Sequence, residues 1–566
     1  MMIDSRRDGN VDVSESRRFS RVTTYWPLAV GVLATALVLG WVLQQVFRVT
    51  GGRVIYALDD PYIHMSIARS LATHGVWGID PDQFAPASSS PLWTLLLAAA
   101  YSVTGVHEPT ALVLNLMAVC GLLVLVFVLA SHAGVSSAAT AALLVSVSWL
   151  TPLAVLAISG MEHVVQILVD LAFMACAVEA IRSDATHRQR FQKLTWCLAP
   201  LVTGIRYEGM FIVSAVCLLM ALRRRWFEAF TLGVMGALPI VAFGVFSLAH
   251  GGFFLPNSVL IKAQSVGALP AALSLHAIFA SAIRPLWMMS STPYLLPLTL
   301  PSSFLLLWGV LDGKVWSPRV LWNAIYMSTV LMHMQVGGIG FFFRYEAYLV
   351  AMGLVVVVTT AVPRPAMFVP SRGVDRWPYL AAVALVAVVL LSPIVWRAYV
   401  ATSDAARAVA NVYQQQYQMG LFVRAFYGGR AVALNDIGAV SFLARSRVID
   451  LAGLADMDTA RAIRAHQLDA GFIEARVRRG DATIAILYDA WFSKSLPSGW
   501  VRVGQWTIPN RVSVAGDTVS FYAINHEEAE KLAANLRSYS MVLPESVVQR
   551  GPFIDAPTIQ RVPAGP

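Results

Sequence analysis

Two adjacent carboxylates, Asp59 and Asp60, follow the first apolar stretch of the chain almost directly. Pro61 suits the first turn of a helix, and acidic side chains favour a helix N-terminus, so a helix is predicted to begin here. Tyr62 and Ile67 belong to an apolar face that is expected to lie against the membrane. A carboxylate pair just outside a membrane can supply a general base, and that chemistry is the first to consider.

Other charged and polar side chains come from separate segments that the topology below places on the same side of the membrane. Charge at membrane depth is costly and tends to line a site. Basic residues on the outer side run against the positive-inside trend, so they indicate either an anionic ligand or structural pairing with acids. The residues are His64, Arg69, Glu162, His163, Arg206, Glu208, Asn257, Lys262, Arg344, Tyr345 and Glu346.

This set suits transfer of a sugar from a lipid phosphate to a hydroxyl group. Asp59 or Asp60 is the predicted catalytic base, and the sequence leaves open which one. Arginine and lysine can hold the leaving phosphate and stabilise its developing charge. The phosphate-binding candidates are Arg69, Arg206, Lys262 and Arg344, and the further substrate-binding candidates are His64, Glu162, Glu208 and Asn257.

Each candidate also has a structural interpretation. An acid such as Glu162 can interact with a helix dipole, and Arg206 with Glu208 can form a salt bridge at a turn. Lys262 and Arg344 can extend toward lipid headgroups.

The composition is that of a polytopic membrane protein with a soluble part. The chain has 566 residues, 57% of them hydrophobic and 13% charged, whereas soluble chains carry about 25% charged residues. The formal net charge of +9 is attributed to cytoplasmic loops and not to a nucleic-acid surface. All four cysteines lie in apolar stretches, so no disulfide framework is expected.

The order of apolar and basic segments predicts the topology. Residues 1–25 form a basic cytoplasmic tail, 26–396 a membrane domain with a first outer loop at 48–90, and 397–566 an outer domain. The expected count is 11 to 13 transmembrane helices, with a second span at 92–106 and breaks inside 137–158 and 194–222. Since either count is odd, the C-terminal domain is placed outside the cytoplasmic (inner) membrane of a bacterium.

The outer domain is predicted to be α/β. Short β-branched and apolar runs indicate strands at 431–434, 448–451, 482–488 and 519–524. Periodic segments indicate helices at 458–479 and 527–536. The fold class is therefore an α-helical polytopic membrane protein with a C-terminal soluble α/β domain.

An ordered series of motifs resembles bacterial GT-C glycosyltransferases, most closely the arabinofuranosyltransferase-like and mannosyltransferase-like members. The series covers most of the chain. In order it contains Asp59-Asp60-Pro61-Tyr62-Ile63 with Ala68-Arg69, Ser90-Pro91-Leu92-Trp93, Ser159-Gly160-Met161-Glu162, Arg206-Tyr207-Glu208-Gly209, Leu255-Pro256-Asn257-Ser258 with Lys262, Arg344-Tyr345, Asn435-Asp436-Ile437-Gly438-Ala439, and Val448-Ile449-Asp450-Leu451-Ala452-Gly453-Leu454.

The resemblance implies the GT-C fold and an inverting transfer from a polyprenyl-phosphate-sugar to a cell-envelope glycan or glycolipid. It adds Tyr345 to the substrate-binding candidates. No cofactor is certain, since some relatives need a divalent cation (Mg²⁺, Mn²⁺ or Ca²⁺) and others do not, and the metal ligands stay unknown. The chain departs from the family at Phe84-Ala85-Pro86-Ala87, where relatives often carry Glu-Gly, which leaves the choice of substrate open.

Two other function classes stay open. A transporter or flippase for a lipid-linked glycan should carry its charges at the bilayer midplane between repeated halves, whereas here they gather on one face. A non-catalytic assembly protein that kept the fold is the other alternative. No Gly-rich nucleotide motif is present, which favours a lipid-linked donor over a nucleotide sugar.

Overall fold

The computed structural model describes residues 12–182, 185–265, 275–361 and 376–554. The chain is a mostly helical, multi-pass membrane protein with a C-terminal domain built on a small sheet, as predicted. Among the described residues, six helices are long and apolar enough to cross a membrane, and four apolar helices are shorter. The six long ones are Tyr25–Thr50, Thr110–His132, His163–Arg182, Trp226–Ala249, Pro293–Leu311 and Leu385–Phe426.

The helices up to the outer domain follow one another along the chain. They are α1 (Asp12–Thr50), α2 (Asp60–His74), α3 (Pro91–Thr104), α4 (Thr110–His132), α5 (Ser137–Leu150), α6 (Leu153–Ile158), α7 (His163–Arg182), α8 (Ala185–Ile205), α9 (Gly209–Leu222), α10 (Trp226–Ala249), α11 (Asn257–Ser265), α12 (Leu275–Ser291), α13 (Leu296–Leu311), α14 (Pro318–Val336), α15 (Ala347–Ala361) and α16 (Arg376–Val412).

Helix α3 does not cross the membrane, so the predicted span at 92–106 is wrong. Just before α3, the Ser90 hydroxyl donates to the carbonyl of Ile205 at the end of α8. Just after α3, the carbonyl of Glu108 accepts a hydrogen bond of 2.6 Å from the Tyr56 hydroxyl, which precedes α2. Both ends of α3 therefore lie on the side that carries Asp60, called the site side below.

The two predicted breaks are confirmed. The stretch 137–158 divides into α5 and α6 at Thr151-Pro152, and the stretch 194–222 divides into α8 and α9 at residues 206–208. The opposite side is marked by Arg223, whose guanidinium donates to the Ile181 carbonyl at the end of α7.

The outer domain continues directly from α16, which passes the predicted boundary at 397 without a break. A π-helical turn at Tyr413–Tyr417 leads into α17 (Gln418–Phe426). The remaining elements are β1 (Ala431–Leu434), α18 (Gly438–Ala444), β2 (Val448–Asp450), α19 (Met457–Arg464), α20 (Ala470–Arg479), β3 (Ala482–Leu487), α21 (Asp489–Phe492), β4 (Val501–Thr507), β5 (Thr518–Ala523), α22 (His526–Tyr539) and β6 (Val548–Arg550).

The sheet has six strands in the order β2-β1-β3-β5-β4-β6. Strand β1 pairs parallel with β2 and β3, and the other pairs are antiparallel. All four predicted strands are present. The single helix predicted at 458–479 is wrong: it divides into α19 and α20 because His466 has a φ of 56° and Asp469 begins a new helix by accepting the Phe472 N–H at 2.8 Å.

Helix α2 is enclosed by protein, which corrects the expectation that its apolar face lies on the membrane. Tyr62 and Ile67 are fully buried. Helix α2 packs against α3 on one side and against α18 of the outer domain on the other. Midway along the second contact, the hydroxyls of Ser66 and Ser441 lie 2.9 Å apart. The first outer loop therefore joins the membrane domain to the outer domain.

Candidate active site

The Asp59 carboxylate binds the start of helix α18. One carboxylate oxygen accepts the Gly438 N–H at 2.7 Å, and the other accepts the Ala439 N–H at 2.8 Å. At the other end of α2, the Arg69 guanidinium donates to the carbonyls of Ser441 at 3.1 Å and Phe442 at 2.6 Å. A negative charge at a helix N-terminus and a positive charge at its C-terminus both stabilise the helix. We call these four hydrogen bonds the docking contact.

Position 438 tolerates no side chain in this arrangement. A Cβ atom on Gly438 would lie 2.2 Å from the Asp59 carbonyl oxygen and 2.7 Å from its carboxylate. Such distances force a shift of backbone or of the carboxylate. The glycine of the Asn435–Ala439 motif therefore allows the close approach of the two domains.

The docking contact contains an acid with a perturbed pKa. Burial, together with the neighbouring carboxylates of Asp436 and Asp60, raises the pKa of Asp59 to about 8, against the two backbone N–H groups, which lower it. Since both oxygens of Asp59 already accept N–H groups, this carboxylate is committed to the outer domain.

Asp60 has a different environment. Its carboxylate accepts a hydrogen bond of 2.5 Å from Nη2 of Arg344, and its side chain keeps 32% of its surface exposed. Arg344 itself is only 1% exposed. The Nε and Nη1 groups of Arg344 are buried and find no acceptor among the described residues. Asp60 and Arg344 form what we call the Arg344 cluster.

The loop that carries Arg344 has an unusual backbone. Phe341, Phe342 and Phe343 have φ values of 41°, 59° and 62°. Left-handed conformation costs about 1–2 kcal/mol for each residue other than glycine. Arg397 holds the loop by donating to the Phe343 carbonyl at 2.6 Å and pairing with Glu346 at 3.0 Å. Strain of this kind persists only where surrounding contacts enforce it, and it is common at functional sites.

A second buried guanidinium, that of Arg206, is paired with two carboxylates. Arg206 pairs with Glu162 and with Glu208, each at 2.5 Å. Glu162 is fully buried and Arg206 is 7% exposed. We call these three residues the Arg206 cluster. The Tyr345 ring joins the two clusters, since its centroid lies 5.8 Å from the guanidinium carbon of Arg206 and 5.2 Å from that of Arg344.

Three predicted site residues instead make structural contacts. His64 is buried, and its Nδ1 lies 3.0 Å from the Thr94 hydroxyl and 3.1 Å from the Ser88 hydroxyl. Arg69 lies nine residues beyond Asp60 on α2, about 14 Å along the axis, and belongs to the docking contact. The structure therefore does not bring Arg69 to the Arg344 cluster, in contrast to the sequence-based expectation.

Asn257 is the third. It begins α11, and its Nδ2 donates to the Gly453 carbonyl at 3.1 Å. Gly453 lies in the turn after β2, where Asp450 accepts the Ala452 N–H at 2.8 Å and the Ala455 N–H at 2.6 Å. The predicted substrate contact at Asn257 is thus a second attachment of the outer domain. The side chain of Lys262, which follows on α11, lies outside the described residues.

The structure adds Asp436, which sequence reasoning missed as a site residue. One oxygen of Asp436 accepts hydrogen bonds from Gln416 at 2.8 Å and Tyr488 at 2.9 Å. Burial raises the pKa of Asp436, and the Asp60 carboxylate raises it further. The signal was available, because Asp436 stands inside a motif already noted. Its pairing with the first outer loop depends on the sheet topology, which the sequence alone did not give.

A divalent cation was left open as a cofactor. Within the described ranges, no group of three or more His, Cys, Asp or Glu side chains is arranged to hold a metal ion. The carboxylates of Asp59, Asp60 and Asp436 are instead engaged with backbone, arginine, and tyrosine or amide donors.

Comparison with known proteins gives partial matches. A family model described as a domain of unknown function (DUF8728) matches residues 408–522, within the outer domain and the helix that leads into it. No curated protein matches.

Several solved structures are similar to this chain at 12% identity. One is ArnT from Cupriavidus metallidurans in the apo state, with a TM-score of 0.49 over 87% of this chain and 98% of that one. The same protein bound to undecaprenyl phosphate has a TM-score of 0.47 over the same shares. The archaeal oligosaccharyltransferase AglB from Archaeoglobus fulgidus, in complex with an inhibitory peptide and a dolichol-phosphate, has a TM-score of 0.45 over 82% of this chain and 69% of that one.

Proposed function

We propose that this protein is a membrane glycosyltransferase of the GT-C type, which moves one sugar from a polyprenyl-phosphate-sugar to a hydroxyl of a cell-envelope glycan or glycolipid. The reaction takes place at the outer face of the bacterial cytoplasmic membrane. The observation that carries the proposal is the Arg344 cluster. It combines a partly exposed carboxylate with a buried guanidinium that has two N–H groups without an acceptor among the described residues.

Asp60 is the proposed base, and Asp59 is not. Both Asp59 oxygens accept N–H groups of helix α18, so that carboxylate is already engaged with the outer domain. Asp60 retains about a third of its side-chain surface. Its carboxylate accepts the proton of the acceptor hydroxyl while the hydroxyl oxygen attacks the anomeric carbon of the donor sugar.

Arg344 is the proposed phosphate ligand. As the bond between the anomeric carbon and the phosphate oxygen breaks, negative charge develops on the leaving polyprenyl phosphate. The free Nε–H and Nη1–H of Arg344 can bind that charge while Nη2 holds Asp60. Buried N–H donors that are already oriented stabilise such charge without reorganisation. Attack from the face opposite the phosphate inverts the anomeric centre.

The outer domain supplies a second carboxylate, Asp436, beside Asp60. Asp436 offers an acceptor for a sugar hydroxyl, and we assign it to positioning of the acceptor glycan. The Arg206 cluster keeps the turn between α8 and α9 in place beneath Tyr345, and Arg206 is assigned a structural role. Lys262 stays a phosphate candidate, since it follows Asn257 in the family motif.

The proposal is tested by linkage analysis of envelope glycans in a deletion strain. The strain is complemented with wild type, with Asp60→Asn, or with Asp82→Asn, a matched control that changes an exposed acid of the same loop. Membrane levels of the three proteins are equalised first. One terminal sugar should disappear on deletion, return with wild type and with Asp82→Asn, and stay absent with Asp60→Asn. Full restoration by Asp60→Asn would refute the proposal and favour a transporter or assembly protein.

A further inference from the structure

A cavity of about 850 Å³ lies between the membrane domain and the outer domain, behind the docking contact. Arg53 and the α3–α4 turn line it from the membrane domain. Tyr417, Arg424 and the end of α18 line it from the outer domain, and Arg69 of α2 forms part of its wall. Since Arg69 lies about 14 Å from Asp60 along α2, this cavity is separate from the Arg344 cluster.

The charge of the cavity wall is strongly positive. Among its described lining residues are four arginines, Arg53, Arg69, Arg424 and Arg445, and a single carboxylate, Glu108. That carboxylate is already engaged, because both of its oxygens lie 3.4 Å from the Tyr417 hydroxyl. The cavity therefore presents an excess of guanidinium groups that Glu108 does not neutralise.

Arg445 has a backbone conformation that favours other residues. It follows the last residue of α18 with a φ of 52°, a position where glycine or asparagine is usual. The arginine here lies close enough to Arg69 for the two like charges to repel. Burial, and next the charge of Arg445, lower the pKa of Arg69 to about 10. An anion in the cavity would relieve this repulsion.

The cavity also lies at the level of the membrane surface. Arg53 comes three residues after the end of α1, which exposes the apolar side chains of Leu37, Trp41 and Phe47. Val103, near the end of α3, is 86% exposed and lies next to the turn that lines the cavity. Apolar exposure beside a cluster of arginines is the pattern expected where lipid chains meet lipid headgroups.

We propose that this arginine-lined cavity binds the phosphate of an anionic lipid headgroup at the outer surface of the cytoplasmic membrane. The bound lipid thereby holds the outer domain against the bilayer. Arginine suits phosphate because its planar guanidinium donates two parallel hydrogen bonds. The bound headgroup bridges Arg53 and Arg69 on one side and Arg424 and Arg445 on the other. This inference does not depend on the proposed sugar transfer.

The test is lipid binding to the full-length protein in detergent, measured by native mass spectrometry. Phosphatidylglycerol is the anionic probe, and phosphatidylcholine is the zwitterionic one. The double variant Arg424→Gln/Arg445→Asn removes two cations from one wall, and asparagine accepts the left-handed backbone. Arg430→Gln is the matched control, an exposed arginine of the same domain that does not line the cavity. Arg424→Gln alone serves as a second variant that changes only an exposed helix residue.

Wild type and Arg430→Gln should bind the first phosphatidylglycerol more tightly than phosphatidylcholine. The double variant should lose about 30-fold in that affinity, since two surface arginines contribute about 1 kcal/mol each toward an anionic lipid and about 1.4 kcal/mol is tenfold. Arg424→Gln should show an intermediate loss. Equal binding by wild type and the double variant would overturn the proposal. Displacement of the lipid by equimolar glycerol 1-phosphate would also overturn it, because the site would then take a soluble phosphate.

Discussion

The Arg206 cluster and the Arg344 cluster lie against the same tyrosine ring, yet their charges are balanced in opposite ways. Arg206 has two carboxylate partners, Glu162 and Glu208, which accept from all three of its guanidinium nitrogens. Arg344 has one, Asp60, and keeps two buried N–H groups without an acceptor among the described residues. A buried arginine with all its charge compensated maintains structure, whereas one with free donors is prepared for an anion.

The largest effect, a loss of stability, is expected at the Arg206 cluster. Arg206→Gln leaves the fully buried Glu162 carboxylate without its partner, and removal of one member of a buried pair costs about 3–5 kcal/mol. Unfolding in detergent should therefore begin at a much lower temperature or denaturant concentration. Arg190→Gln, an exposed arginine on the opposite side, is the control. Wild-type stability of Arg206→Gln would remove the distinction between the clusters.

The next largest effect is expected at the Arg344 cluster, where a substitution should reduce turnover. Arg344→Gln removes the donors proposed for the leaving phosphate, and such donors contribute about 10²–10³ in rate. Stability should fall less than for Arg206→Gln, since the Asp60 partner left behind is partly exposed to water. The measurement is turnover at saturating donor, with melting temperature recorded on the same sample. A variant with normal turnover would show that Arg344 is structural like Arg206.

A smaller loss of stability is expected at the docking contact, which connects the loop of the Arg344 cluster residue Asp60 to the outer domain. Gly438→Ala places a methyl group 2.2 Å from the Asp59 carbonyl oxygen and should separate α18 from α2. Loss of hydrogen bonds to a charged group costs about 1.5–3 kcal/mol. Hydrogen exchange of residues 438–444 should quicken. Gly499→Ala is the control, since a Cβ there meets nothing within 4 Å, and equal exchange in both variants would contradict the contact.

The last prediction is a pH dependence of stability. Burial and the Asp436 and Asp60 carboxylates raise the pKa of Asp59 from 3.8 to about 8. The folded state then binds the proton more tightly than the unfolded state, so its stability is full at low pH and declines as the pH rises toward 8. The melting temperature should fall from about pH 4 to about pH 8, and Asp59→Asn should flatten that decline. An identical slope in both proteins would show that another group titrates.

The sequence predicts that these charged residues lie on one side of the membrane. It does not predict which of them have a catalytic role and which have a structural one. The motif at 59–60 was found because two acids beside a membrane span are unusual. That Asp59 caps a helix of another domain, while Asp60 faces Arg344, depends on contacts 284 and 379 residues apart in the chain. Such pairings have no local signal.

The errors have local causes. Residues 92–106 are apolar enough to predict a span, and only their contacts at both ends show that α3 stays on one side. Strand β4 escaped notice because Gly504 interrupts its apolar alternation, and helix α18 escaped notice because it has only 7 residues. Arg69 looked like a phosphate ligand from its place in a motif, but its partners are the carbonyls of Ser441 and Phe442.

The assignment of Asp60 as the base is tested most directly by turnover of the purified protein with a polyprenyl-phosphate-sugar and a glycan acceptor. Wild type, Asp59→Asn and Asp60→Asn are compared. Asp60→Asn should reduce turnover by about 10²–10⁴, the contribution of a general base, while the protein stays folded. Asp59→Asn should reduce stability more than turnover. Full turnover by Asp60→Asn, or a greater loss with Asp59→Asn, would contradict the assignment of Asp60 as the base.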